Sequence, residues 1–321
     1  MAVFIVKHRT QYQYSEEIAL GPQRLVVRPR DSHDLRLIDA TLTVSPPACR
    51  TRWLHDVYDN SIAVLEFEGT TRSLAIESRL LIDNYGYDKP RLPMEPFAET
   101  WPFGYRAEEA VDLEPWMRRQ FDDPEGRLTR WVRQLVKDKI EYPTQELLVA
   151  MMRRIKDELP YSVRHEEGIR DPLETLAGGG TCRDFAVLMI EAARILGFAA
   201  RFVSGYLYVP PTQTVERKDE RNESHKPQSA AKEAAVAPVI GGGSTHAWVQ
   251  IYLPGAGWVE FDPTNALYGG ADLVRIAIAR EPALVSPVSG SFKGPLGVRS
   301  TLDVDVDVRL LEDEVVPERL S

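Results

Sequence analysis

Gly178-Gly179-Gly180-Thr181-Cys182-Arg183-Asp184-Phe185-Ala186-Val187-Leu188-Met189-Ile190-Glu191-Ala192-Ala193-Arg194-Ile195-Leu196-Gly197 is the stretch on which the reading of this chain turns. Phe185, Leu188, Met189, Ala192, Ile195 and Leu196 recur at helical spacing and give the segment a buried face. Thr181 suits the N-cap, and Asp184 three residues on makes a T-x-x-D variant of the capping box. Gly197 ends the helix. Cys182 therefore falls at the first helical position, directly after three glycines.

The flanks set the fold class. Upstream, Leu128, Trp131, Val132, Leu135 and Val136 form one helical stripe; Leu147, Leu148, Met151, Met152 and Ile155 form another, with Thr144 as its expected N-cap. Asp171-Pro172 opens a short helix that Gly178 closes. Downstream come β runs at Ala200 to Val209, His246 to Leu253 and Trp258 to Asp262. The turn holding Pro254, Gly255 and Gly257 makes the last two a hairpin. Val304, Val306 and Val308 alternate with Asp303, Asp305 and Asp307 in a closing strand.

Residues 1 to about 105 read as β. Ile38, Ala40, Leu42 and Val44 alternate with Asp39, Thr41 and Thr43, and Asp59-Asn60 reads as a hairpin turn. Lys89 to Gly104 carries four prolines and reads as a surface linker. The expectation is an α+β chain: an N-terminal antiparallel β-sandwich over 1–105, then a catalytic helix packed on an antiparallel sheet over 106–321, with the closing strand in that second domain. Thr212 to Pro238 has no aromatic residue and balanced charge, so an insertion of about 212–243 is expected to be mobile.

Composition excludes several functions. Among 321 residues, 39 Lys and Arg stand against 48 Asp and Glu, a net charge of −9, with no long basic run. That balance disfavours nucleic acid and anionic membranes as partners. Hydrophobic residues at 43% suffice for a sizeable core, yet no apolar run is long enough to span a bilayer. The first residues read as a strand rather than a signal peptide, so the expected compartment is the cytoplasm. Only Cys49 and Cys182 occur, in unlike contexts, which argues against a disulfide scaffold. No C-x-x-C, H-E-x-x-H or calcium-loop spacing is present, so no cofactor is expected.

The chemistry gathers at Cys182. A lone cysteine is commonly a small buried hydrophobe. A cysteine in the first turn of a helix, however, meets unpaired backbone N–H groups and the positive end of the helix dipole, which stabilise a thiolate and can form an oxyanion site. A nucleophile needs a base, and the base an orienting acceptor. His8, His33 and His55 lie in the β-rich region, His165 in a charged stretch and His225 in the insertion. His246 begins an apolar strand and Asp262 ends the next one, so the hairpin sets them side by side. Trp248 shares a strand face with His246 and either walls the cleft or fills the core. Tyr161 either supplies an oxyanion donor, lines the cleft, or packs.

Gly180-Thr181-Cys182-Arg183-Asp184-Phe185-Ala186, Thr245-His246-Ala247-Trp248 and Gly257-Trp258-Val259-Glu260-Phe261-Asp262-Pro263-Thr264 together resemble the transglutaminase-like core superfamily. The resemblance implies a papain-like triad with Cys182 as nucleophile, His246 as base and acid and Asp262 as orienter. Tyr12-Gln13-Tyr14, Gln23-Arg24-Leu25 and Arg28-Pro29-Arg30 resemble the β-rich domain that precedes this core in bacterial relatives. Where relatives commonly read G-R-D-Y-x-D-V-x-P after the core, this chain has Ala279-Arg280-Glu281-Pro282-Ala283-Leu284-Val285-Ser286-Pro287, a departure on the substrate side. The implied activity is thiol-dependent acyl transfer on amide or peptide bonds of a protein or peptide substrate, as a cysteine protease or amidase or as a transglutaminase. The rival is a non-catalytic protein-interaction scaffold on the same fold. The sequence leaves oligomeric state open.

Overall fold

The structure, a computed structural model, describes residues 2–86, 91–137, 140–164, 168–210, 239–240 and 243–311. The expected mobile insertion lies outside the described residues except at 239–240 and 243.

The chain opens with one very long strand, β1 (Ala2–Arg28), followed by β2 (Leu35–Ser45), β3 (Arg50–His55), β4 (Ser61–Glu66) and β5 (Thr71–Asn84). The first half of β1 pairs with β5, which pairs in turn with β2; the second half pairs with β4, and β4 with β3. A single strand thus serves two antiparallel layers. Between them lie Tyr14, Ile18, Leu20, Leu25, Val27, Ala63, Leu65, Leu74 and Ile76, the buried alternate positions of both layers. The β3–β4 hairpin turns where Asp59-Asn60 predicts it, with Asp59 at φ +67°.

Beyond the sandwich, the segment 91–104 is not a free surface linker. Leu92 and Ala98 are buried, and β6 (Thr100–Trp101) pairs with β7 (Tyr142–Pro143). Helices α1 (Ala107–Met117), α2 (Arg127–Arg133), α3 (Thr144–Glu158), α4 (Pro172–Gly178) and α5 (Cys182–Ile195) follow. Thr144 is the first residue of α3 rather than its cap; its hydroxyl donates instead to the Ala98 carbonyl at 2.7 Å, tying that segment to the helix. Asp171 caps α4 as its sequence implies, accepting from Leu173 N–H at 2.7 Å.

The second sheet contains β8 (Ala200–Leu207), β9 (His246–Leu253), β10 (Gly257–Asp262), β11 (Leu267–Tyr268) and β12 (Leu273–Ala279), in the antiparallel order β11-β10-β9-β8-β12. Ala247, Val249, Ile251 and Leu253 of β9 join the same core as α5. Helix α5 is buried on every side, not on one face alone. Its charged residues are internally paired: Glu191 accepts from Arg194 at 3.0 Å and from the Gln120 N–H at 3.2 Å.

The closing strands are placed differently from expectation. β13 (Val288–Lys293) and β14 (Ser300–Leu311) leave the second domain and return to the sandwich, where both pair with β1. β1 has two edges, and besides β5 and β4 it is paired by the alternating Val/Asp strand β14 over Val3–Tyr14 and by β13 over Ala19–Leu25.

The two units are joined by polar contacts. Asn60 donates to the Ile278 carbonyl at 2.7 Å and accepts from the Ile278 N–H at 2.9 Å, pairing the edge of β12. His8 bonds Tyr206 through Nδ1 at 2.8 Å and Thr10 through Nε2 at 3.0 Å. Burial lowers the His8 pKa to about 4, so this ring is neutral and structural. Tyr206→Phe leaves His8 Nδ1 buried and unpaired, and we expect a loss of about 1–3 kcal/mol in urea unfolding. An unchanged midpoint would show that this bond contributes nothing to the joint.

Candidate active site

The first turn of α5 is held from outside the helix. Gly179 sits at φ +72°, and a Cβ there would lie 1.9 Å from the Pro160 carbonyl oxygen. A Cβ on Gly180 would lie 2.6 Å from that of Asp184. Both positions therefore demand glycine. Through this close approach the Gly180 N–H donates to Pro160, and the Ser162 N–H donates to Gly180, at 3.2 and 2.9 Å. Tyr161 is thereby laid beside the start of the helix.

Asp184 does more than cap. Its buried carboxylate accepts from the Thr181 N–H at 2.8 Å, the Thr181 hydroxyl at 3.0 Å, the Arg170 N–H at 2.7 Å and the Arg164 guanidinium at 3.1 Å. Four donors from three segments fix the turn that carries Cys182. Cys182 is 8% exposed; Cys49 is exposed, and both are free thiols.

Across from this turn, the β9–β10 hairpin brings together the two residues that its sequence pairs. His246 Nε2 lies 2.8 Å from Asp262 Oδ2, and both side chains are fully buried. Asp262 has further donors: the Thr264 N–H on Oδ1 at 2.8 Å and the Asn265 Nδ2 on Oδ2, also at 2.8 Å. Burial alone would raise the Asp262 pKa, but the His246 charge and these hydrogen bonds hold it below its ordinary value. Burial alone would likewise lower the pKa of His246; the Asp262 carboxylate overrides it, the Cys182 sulfur adds to the effect, and the net shift is upward. An ionised Asp262 accepts, so Nε2 must donate, which leaves Nδ1 facing the chemistry. Nδ1 is buried, meets no well-aligned hydrogen-bond partner among the described residues, and has the Cys182 sulfur near enough to raise the pKa of the ring.

The two accessory residues separate. Trp248 is fully buried in a cluster with Val203, Leu207 and Leu273, and its ring stacks on His246 at 6.0 Å between centroids. It backs the imidazole and does not wall an open cleft. Tyr161 is half-buried, edge-on to Phe185. Its pKa is pushed up to about 12 by burial and by the nearby charges of Cys182 and Asp262, so its hydroxyl keeps its proton beside the site. His33 and His55 stay in the sandwich; His165 and His225 lie outside the described residues.

Asn265 is the residue the sequence did not flag. It follows the D-P-T of the third motif and looks like an ordinary turn residue, so only its position three residues after Asp262 could have drawn notice. Helix α3 also reaches this loop, where Lys156 Nζ donates to the Asn265 carbonyl at 2.9 Å.

Residues 4–83 match the bacterial transglutaminase-like N-terminal region, and residues 130–263 match the transglutaminase-like superfamily. The chain belongs to the transglutaminase-like superfamily. An uncharacterized protein of Mycobacterium tuberculosis is 27% identical over 97% of this chain and 94% of its own. A second, from Mycobacterium leprae, is 29% identical over 41% of this chain and 37% of its own. Among solved structures, a Cytophaga hutchinsonii protein described as a "putative cysteine protease" aligns over 100% of this chain and 94% of its own, with a TM-score of 0.64 at 19% identity. It shares the transglutaminase-like fold. No helix among the described residues is long and apolar enough to cross a membrane.

The opposed shifts of the buried pair give a pH test. The raised His246 pKa contributes stability that is complete below about pH 6.5 and is lost as pH rises through the folded-state value. The lowered Asp262 pKa contributes stability that is lost as pH falls below about 4. In Asp262→Asn burial is opposed only by the smaller effect of the Cys182 sulfur, so the stability that a charged His246 adds below neutrality should shrink or reverse. Urea midpoints measured from acid to alkaline pH should diverge in slope on either side of neutrality; parallel curves for the two proteins would refute the assignment.

Proposed function

We propose that this superfamily member is a thiol-dependent acyl-transfer enzyme acting on amide or peptide bonds through Cys182, His246 and Asp262. The observation that carries the reading is the fully buried 2.8 Å His246–Asp262 pair, which leaves imidazole Nδ1 unpaired beside a cysteine in the first turn of a helix. Membership of the transglutaminase-like superfamily supports the same chemistry.

The steps follow from the geometry. The Cys182 sulfur, its proton held on His246 Nδ1, attacks the carbonyl carbon, and the new oxyanion meets the N–H groups of the first turn of α5. The Nδ1 proton passes to the departing nitrogen as the C–N bond breaks, leaving a thioester on Cys182. Water or a second amine then attacks the thioester, gives its proton to Nδ1, and releases the sulfur. Asp262 holds the imidazole in one tautomer throughout and does not itself take the proton. With water as acceptor the enzyme is a protease or amidase; with an amine it is a transglutaminase. Its proposed substrate is a protein or peptide, and its proposed compartment is the cytoplasm.

Peptide substrates incubated with and without a primary amine should yield a covalent adduct on Cys182, visible by mass spectrometry of the quenched protein. Cys182→Ala should abolish turnover, and His246→Ala should come close to it. Asp262→Asn should leave a remnant lower by about four orders of magnitude, because a mis-oriented imidazole still works poorly. Full turnover in Cys182→Ala would rule the reading out, and the absence of both turnover and a Cys182 adduct in the wild type would favour the scaffold.

A further inference from the structure

Asn265 uses the hydrogen-bonding capacity of its side chain in two directions. Its Oδ1 accepts from the Ile240 N–H at 2.8 Å, and its Nδ2 donates to the Ile240 carbonyl at 2.9 Å. The second Nδ2 hydrogen goes to Asp262 Oδ2 at 2.8 Å, on the same oxygen that receives His246 Nε2. This pattern fixes the amide. Exchanging its oxygen and nitrogen would set an acceptor against the Ile240 carbonyl and the Asp262 carboxylate, both acceptors themselves. The side chain is 8% exposed, so water does not compete for these bonds. Ile240 lies six residues before His246, and Val239 beside it packs on the Trp248 cluster that backs the imidazole.

We propose that Asn265 is a positioning residue that joins the orientation of the Asp262 carboxylate to the seating of the Val239-Ile240 backbone. The inference rests on the proposed triad. When Val239-Ile240 is seated, both backbone groups of Ile240 hold the Asn265 amide, and the amide holds Asp262 square to the imidazole. When it is not, Asn265 loses two of its three side-chain bonds and can rotate away from the carboxylate. Asp262 then keeps only His246 and the backbone N–H groups of the turn, at Thr264 and, at 3.4 Å, Asn265. The Ile240 backbone thereby tunes how firmly the imidazole is held.

Cys182 acts on the imidazole; Asp262, Cys182, Arg183 and Asp184 act on Tyr161 beside α5; and Lys156 of α3 reaches the Asn265 carbonyl. Lys156 bonds the Asn265 main-chain carbonyl, and Asp184 is occupied by Thr181, Arg164 and Arg170, so neither replaces the Asn265 amide on Asp262. A loosened Asp262 supports the imidazolium less, and the imidazolium supports the sulfur anion. The effect should be confined to the pH range in which that ion pair matters.

The test is the rate of Cys182 alkylation by iodoacetamide across pH, on the full chain, read by mass spectrometry with Cys49 as internal control. We expect Asn265→Ala to slow alkylation about tenfold at about pH 6 and to leave it unchanged at about pH 10. Ile240→Pro removes the N–H that Oδ1 accepts and places a ring carbon against Oδ1. It should slow alkylation at about pH 6 by about threefold, and the double variant should be no slower than Asn265→Ala alone. If Asn265→Ala does not fold, Asn265→Leu keeps the size, lacks both Nδ2 donors, adds no charge, and should give the same loss. A wild-type profile in the folded Asn265 variant, even with a lowered melting temperature, overturns the proposal. So does an Ile240→Pro effect that adds in full to that of Asn265→Ala. Turnover by Cys182→Ala would sink the enzyme reading and leave these alkylation profiles to decide the positioning role separately.

Discussion

A single buried carboxylate organises the half of this protein that carries the proposed triad. Asp184 gathers the N-cap residue, the Arg170 backbone and the Arg164 guanidinium around the first turn of α5. An ionised group taken out of water is tolerable only when its lone pairs are met, and here four donors meet them. The same four bonds determine where Cys182 stands, because it is two residues away on the same turn. Gly180 has no side chain because Asp184 fills the place where one would be. The first catalytic requirement, a sulfur at the positive end of a helix, is thus a by-product of satisfying a charge.

The opposite wall follows a parallel logic. Asp262 is also fully buried and also saturated, but with donors that include a titratable one. Asp184 is structural because its partners never change protonation; Asp262 is suited to chemistry because His246 can. Two carboxylates in one core, each satisfied by several hydrogen bonds, are given different work by what they bond.

Much of this was legible in the sequence. The helix at Cys182 announces itself by its cap, its periodicity and its closing glycine, and the hairpin that unites His246 with Asp262 follows from two apolar runs and a Pro/Gly turn. What could not be read depends on contacts between distant segments. The all-round burial of α5 was hidden by Glu191 and Arg194, which look like a solvent face until Gln120 and the rest of the fold supply their partners. Thr144 has the chemistry of a cap but spends its hydroxyl on Ala98. The role of Asn265 is invisible without Ile240, which lies far enough back in the chain that no local rule connects them. The last strands were assigned by proximity in sequence to the domain before them, whereas backbone pairing sent them back to the sandwich.

That return has a consequence for how the protein is made. Val3 is paired with Leu311, and the register runs unbroken to Tyr14 against Ser300. β1 leaves the ribosome long before β14 and therefore waits for it before this edge is covered over Val3–Tyr14. Closing so long a loop costs little more than closing a moderate one, since the entropy grows only with the logarithm of length, but it makes folding depend on contacts that form late. Through most of synthesis the nascent chain carries an open β edge, and the catalytic half can assemble while the sandwich ahead of it is still incomplete. Vectorial translation and the order of assembly run in opposite directions here, and a chain released early would have its nucleophile in place on a molecule whose first sheet is still open.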